Sequence, residues 1–203
     1  METTAPTLSR KAQIDQTATA LFRQRGYSAT SMRELAAALG IEAGSIYSHI
    51  RSKEEILHRI CFRLADEFMV GWREATADDA ASAAQQLRRA IESHVRVLTR
   101  NADASAVFMH EWRHLSEPAH TEFLHLRQRY EAGFRELIAR GAAAGELRTP
   151  DPAFAALTLL ASLAWLPSWF RADGKLGAEQ IAERLADQLL GGLAPFSPTS
   201  HAH

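Results

Sequence analysis

Apolar residues recur along this chain with the spacing of helices and show no sustained alternation of the kind that makes a strand. Ile14, Ala18, Leu21 and Phe22 stand at i, i+4, i+7 and i+8, positions that share one face of an α-helix. Gly26 then predicts the end of that helix, because glycine turns the chain there at little steric cost. Ser31 and Glu34 have the spacing of a capping box. Met32, Leu35, Ala36 and Leu39 give a short second helix its apolar face, and Gly40 stops it. A third short helix is expected from about Glu42 to His49. Ser52 and Glu55 repeat the capping-box spacing and open a long helix with Ile56, Ile60, Leu64 and Phe68 at intervals of four.

The rest of the chain continues in the same period. Leu87, Ile91, Val95 and Leu98 mark a fifth helix. Val107, Phe108, Trp112 and Leu115 mark a sixth, with Asp103 as its expected N-cap. Ser116 and Pro118 restart the chain, since proline suits a first helical turn. Phe123, Leu126, Tyr130, Phe134, Leu137 and Ile138 form a long seventh helix that ends near Gly141–Gly145. Asp151-Pro152 caps an apolar eighth helix reaching to about Phe170. Asp173-Gly174 turns the chain into a ninth, carried by Ile181, Leu185 and Leu189. The expectation is an all-α protein of about nine helices, with a three-helix N-terminal part and a larger helical body. Residues 195–203, in the polar tail "APFSPTSHAH", are expected to be disordered.

Composition narrows the class. Nearly half of the 203 residues are hydrophobic, enough for a sizeable core. No apolar run is expected to reach a membrane span of roughly 18 residues, and the N-terminus lacks the apolar stretch of a secretion signal. Cys61 is the single cysteine, so no internal disulfide can form. A cytoplasmic protein with no membrane partner is expected, and Cys61 reads as a small buried hydrophobe. The near-neutral total charge hides an asymmetry. Residues 1–53 hold seven Lys/Arg against four acids, a net of +3, while the remainder holds 16 against 20. A basic head on an acidic body points to an anionic partner at the N-terminal end.

Residues 31–50, "SMRELAAALGIEAGSIYSHI", carry the most specific signal. A capped helix, a turn at Gly40-Ile41 and a second short helix form a helix-turn-helix. Its second helix is expected to enter the major groove with its first residues toward the base edges. Those residues, Glu42, Ala43, Gly44 and Ser45, have small or short side chains that let a helix sit deep. Tyr47 and His49 follow, where a hydroxyl and an imidazole reach backbone phosphates. Ser31 and Arg33 belong to the same expected DNA face. Lys53, opening the next helix, adds a charge and helix-end amides for a phosphate.

Residues 10–57 resemble the DNA-binding head of TetR-family transcriptional regulators. The Gly26-Tyr27 break, the Thr30-Ser31 cap, Leu35-Ala36, Gly40, Gly44, Tyr47 and Ser52-Lys53-Glu54 fall at that family's spacing. The sequence departs from it at Ala43, where a lysine is frequent, and at Ile50, where phenylalanine is usual. The resemblance implies a helix-turn-helix domain at 1–53 and a ligand-binding, dimerising domain at 54–194. It also implies homodimers that pair through their two C-terminal helices and bind palindromic operator DNA, released by a small molecule held among the middle helices. No cofactor is implied.

One motif points elsewhere. His110-Glu111-Trp112-Arg113-His114 spells H-E-x-x-H, the zinc-hydrolase signature in which two histidines on one helix face hold the metal and the glutamate acts as base. No further histidine follows in the extended pattern, and Glu131 and Glu136 lie on a periodic helix of the body. No metal site is expected, and a zinc hydrolase using His110, Glu111 and His114 stands as a minor alternative to a non-enzymatic regulator. Residues 80–190 are instead similar to the ligand-binding body of TetR-family members that sense CoA thioesters in steroid, fatty-acid and aromatic-acid catabolism. That similarity implies a repressor released by an acyl-CoA. Phe108, Trp112, Tyr130, Trp165 and Trp169 are its expected apolar walls or stacking surfaces. Arg113 and Arg127, with Arg129, are its expected phosphate-binding cations. His94, His120 and His125 read as surface residues or supports. A regulator of drug or aromatic-compound response is the alternative within the family; its pocket needs no such arginines.

Overall fold

A computed structural model describes residues 9–192; the expected disordered tail at 195–203 lies outside them. Among the described residues the chain is all-α. Its helices are α1 (Arg10–Arg25), α2 (Met32–Ala38), α3 (Ala43–Ile46), α4 (Lys53–Thr76), α5 (Ala83–Arg100), α6 (Ala102–Glu111), α7 (Ala119–Ala143), α8 (Pro152–Ala164), α9 (Leu166–Trp169) and α10 (Ala178–Gly191), with one 3-10 turn at Trp112–His114. The chain divides into two compact units. The first holds residues up to Leu64 together with Asp103–Phe123, and the second holds Ala65–Ala102 and the chain from Leu124 onward. Residues 103–123 thus group with the N-terminal helices, whereas the sequence placed them in the body.

In the first unit, Ile14, Ala18 and Phe22 of α1 bury themselves with Leu35 and Ala36 of α2, Ile46 of α3, Ile50, and Ile56, Leu57 and Ile60 of α4. Full burial of such a side chain contributes about 1.5–3 kcal/mol. Arg59 of α4 ties this core at its edge, donating to Asp15 of α1 and, at 2.7 Å, to Glu55 one turn away.

The second unit packs α5 along α10. Leu87, Ala90, Ile91, Val95 and Leu98 of α5 are buried, as are Ile181, Ala182 and Ala186 of α10. Arg88–Asp187 at 2.7 Å and Arg96–Glu179 at 2.9 Å close the rim of that pair. Being exposed, each contributes at most about 1 kcal/mol. On α7, Gly133 leaves the space that the Trp72 indole fills; a Cβ there would lie 2.7 Å from Trp72 Cζ2.

Three local expectations change. The eighth helix does not run unbroken to Phe170: it ends at Ala164, and α9 begins at Leu166. Pro167 lacks the N–H an α-helix needs and its ring crowds the carbonyl four residues back. Asp103 lies inside the first turn of α6 and pairs with Arg23 of α1. Pro152–Trp169 is, against expectation, apolar enough over 18 residues to cross a membrane by length and composition, with 28% of it buried in the fold.

Candidate functional site

The helix-turn-helix is built by reciprocal backbone capping. Ser31 Oγ accepts from Glu34 N at 3.2 Å, and Glu34 Oε2 accepts from Ser31 N at 2.8 Å. The bonds its carboxylate accepts from Ser31 N and from the Ser31 hydroxyl, followed by Arg25, hold the Glu34 carboxyl below the usual range. At the other end of α2, Gly40 takes φ +67°. Its N–H donates to Ala37 O and that of Ile41 to Ala36 O, at 3.1 and 3.0 Å, the paired bonds that let glycine close a helix. The chain then enters α3. Past Ile46 it tightens into i→i+3 bonds, Tyr47 to Gly44 and Ser48 to Ser45, both at 3.3 Å, so the regular helix is shorter than expected.

Ile46 and Ile50 point inward and seat α3. Glu42, Ala43, Gly44, Ser45, Tyr47 and His49 are all exposed on it, and a Cβ added at Gly44 would meet no atom within 4 Å. Arg33 of α2 is exposed too. This face is shallow, small-residued and open.

Two expected DNA contacts are placed differently. The Ser31 hydroxyl is occupied as a cap. Lys53 turns inward: its ammonium donates to the carbonyls of Tyr27 at 2.6 Å and Thr30 at 2.7 Å and lies 4.1 Å from the Tyr27 ring centre. Burial lowers its pKa. Its charge fastens the chain entering α2: it supplies a donor to the Thr30 carbonyl and a second donor to the Tyr27 carbonyl, which also accepts from Thr30 N. At the start of α4, Ser52 Oγ accepts from Glu55 N, but Glu55 accepts from Arg51 N, one residue before the expected position.

A model of bacterial regulatory proteins of the tetR family matches residues 14–60, and one of the tetracyclin repressor-like C-terminal domain matches residues 80–193. The chain belongs to the TetR family. Among relatives of this TetR-family chain, the HTH-type transcriptional repressor KstR2 of Rhodococcus jostii is 29% identical, with 91% of each chain covered. The same repressor from Mycolicibacterium smegmatis is 24% identical over 99% of this chain and 98% of its own. Two solved structures are similar. PfmR of Thermus thermophilus has 34% identity, covering 90% of this chain and 99% of its own, with a TM-score of 0.78. AibR, solved with isovaleryl coenzyme A and operator DNA, has 28% identity, covering 93% and 100%, with a TM-score of 0.78.

In this TetR-family regulator the H-E-x-x-H segment holds up the head. The motif straddles the end of α6 and the 3-10 turn, so the two histidines do not share one continuous α-helical face. His114 stacks on Tyr27, centroids 5.2 Å apart, and its Nε2 is 3.5 Å from Ser28 Oγ. Glu111 Oε2 lies 3.5 Å from the same imidazole nitrogen. Glu54 Oε1 accepts from the Ser116 hydroxyl and, at 2.9 Å, from Ser116 N, bonds that depress the Glu54 pKa. Among the described residues no group of three His, Cys, Asp or Glu is placed to hold a metal ion.

The residues expected to bind an effector divide between the units. Phe108 and Trp112 are buried in the first, both against Phe123, at 5.2 and 5.7 Å. Arg113 lies over the Trp112 indole, its Cζ 4.9 Å from the ring centre. In the second unit, Tyr130 is half-buried, while Arg127 and Arg129 are exposed on α7. Trp165 and Trp169 are 66% and 48% exposed, so within one chain they wall nothing. His94 is expected to be a surface residue or a support. It is 5% exposed, not a surface residue, and its Nδ1 lies 3.0 Å from Tyr130 Oη. Phe68 and Trp72 of α4 and Phe134 of α7 complete the aromatic cluster around this pair.

Proposed function

We propose that this protein is a transcriptional repressor that binds palindromic operator DNA as a dimer and is released by an acyl-CoA thioester. The observation that carries the reading is the open face of α3, Glu42 to Ser45 with Tyr47 and His49, on a head whose core is buried and whose α2 is capped without DNA. Its small residues suit a helix lying deep in the major groove, with Arg33, Tyr47 and His49 toward the flanking backbone.

Dimerisation is supported by the outer face of α8 and α9. Phe154, Leu157 and Trp165 are 67%, 54% and 66% exposed, and Trp169 follows on α9. Such an apolar row is usually covered by a partner; we assign it to a second copy, alongside α10. In that assembly Trp165 and Trp169 belong to the pairing surface.

The effector class rests on AibR, whose structure holds isovaleryl coenzyme A with operator DNA. It rests also on the aromatic interior of the second unit, which suits an acyl group. Arg127 and Tyr130 of that unit stay our proposed contacts to the effector. A ligand releases the DNA only if it binds the non-binding arrangement more tightly than the other. The test is anisotropy of labelled DNA from upstream of the protein's own gene. Binding of two chains to a palindromic segment, lost when either half-site is scrambled, is expected. Equal affinity for scrambled DNA contradicts it.

A further inference from the structure

His94 is the one histidine among the described residues that is buried. It lies on α5 in a nest of rings: Phe68 at 4.5 Å, Tyr130 at 5.7 Å between centroids, with Trp72 and Phe134 packed on Tyr130 at 6.0 and 5.2 Å. Its Nδ1 is paired with the Tyr130 hydroxyl at 3.0 Å, and its Nε2 is buried without a hydrogen-bond partner.

Hydrogen-bond accounting decides the tautomer. A neutral imidazole carries one N–H and one bare nitrogen. If Nδ1 carried the proton, it would donate to Tyr130 Oη. The phenol O–H and the bare Nε2 would then both lack partners, because Tyr130 has no second partner among the described residues. If Tyr130 donates to Nδ1, a single group is left over, the Nε2–H. Burial disfavours charge at both residues, pushing the imidazole pKa down and the phenol pKa up, so the pair stays neutral. What remains is one N–H donor, held in orientation by a tyrosine and surrounded by aromatic carbon.

We propose that the Nε2–H of His94 is the hydrogen-bond donor to the thioester carbonyl of the effector, and that the His94–Tyr130 pair selects the neutral thioester over its free acid. The inference rests on the effector reading above. A neutral carbonyl supplies the acceptor the buried donor lacks. A carboxylate would bring a charge into aromatic surroundings with no cation among the rings named here, and the desolvation of that charge opposes binding.

The test uses the full-length protein and isothermal titration with acyl-CoA thioesters bearing short branched, long straight and ring-bearing acyl groups. Each is paired with the thioether in which CH2 replaces the carbonyl. For the thioester that binds, we expect about tenfold weaker binding of its thioether to the wild type, the equivalent of one hydrogen bond. H94F/Y130F keeps the rings and removes both polar groups. It is expected to lose about tenfold for the thioester, to lose the discrimination between thioester and thioether, and to melt no lower than wild type. Nitrogen-15 shifts of the unliganded ring are expected to show Nε2 protonated and Nδ1 bare. A thioester that binds wild type and double variant alike, a thioether as tight as its thioester on the wild type, or protonated Nδ1 overturns the assignment to His94. Binding of no thioester to the wild type overturns the effector reading, and this inference with it.

Discussion

The imidazole of His114 lies on the phenol ring of Tyr27, planes 22° from parallel. Tyr27 in turn packs edge-on against Phe22, buried in the head, and receives the Lys53 ammonium on its ring. A histidine in a motif with the spacing of a metal site is thus an aromatic lid on the break between α1 and α2. His114→Ala removes a stacked pair worth about 1 kcal/mol. We expect urea unfolding to show that loss, with metal content by elemental analysis the same as wild type.

Lys53 and Arg33 should separate in their salt dependence. Lys53→Met removes the ammonium that donates to the Thr30 carbonyl and, beside Thr30 N, to the Tyr27 carbonyl and is expected to destabilise the head by about 1–2 kcal/mol. The slope of log affinity for DNA against log salt should stay at the wild-type value, because that ammonium is turned inward. Arg33→Ala should leave the melting temperature unchanged and lower the magnitude of the slope by about 0.9, one phosphate contact. A reduced slope for Lys53→Met would return its charge to the DNA.

The pH dependence of stability should report His94. Burial lowers its pKa from 6.5 to about 3, so between those values the unfolded chain takes up a proton that the folded chain does not. Stability therefore falls as pH falls through that window, by up to about 1.4 kcal/mol per pH unit from this group. H94F/Y130F lacks the group, and its unfolding free energy should decline less steeply between pH 6.5 and about 3. Parallel acid limbs for the two proteins would contradict a neutral, buried His94.

Leu157 lies in the exposed apolar row of α8. Leu157→Glu sets a charge at the proposed pairing surface, where the symmetry of a two-fold interface repeats it from the partner. Analytical ultracentrifugation is expected to show the wild type as a dimer and the variant as a monomer. The variant's fold should be intact by circular dichroism and its operator affinity lost at matched concentration. A dimeric variant would move the interface elsewhere.

Much of the head was legible because its determinants are local. Ser31 and Glu34 stand three apart and cap each other, Gly40 takes the one positive-φ position in the turn, and Ile46 and Ile50 seat α3. What sequence did not reveal depends on partners far along the chain. Asp103 reads as a cap until Arg23, 80 residues away, is seen beside it. His94 follows Ile91 by three residues and precedes Val95, both buried. The period places it on the inner face of α5, but only Tyr130 shows how an imidazole is satisfied there. The inward turn of Lys53 needs the carbonyls of Tyr27 and Thr30, which no periodicity displays. Pro167 was visible, yet the apolar run around it gave no sign of which turn would break.

The most direct test of the account is release of DNA by effector. Labelled DNA from upstream of the protein's own gene is bound, then acyl-CoA thioesters and their free acids are titrated in turn while anisotropy is followed. The account predicts that one thioester lowers the anisotropy to that of free DNA while its free acid leaves the complex in place. Bound DNA that no thioester displaces, or that the free acid displaces equally well, would contradict it.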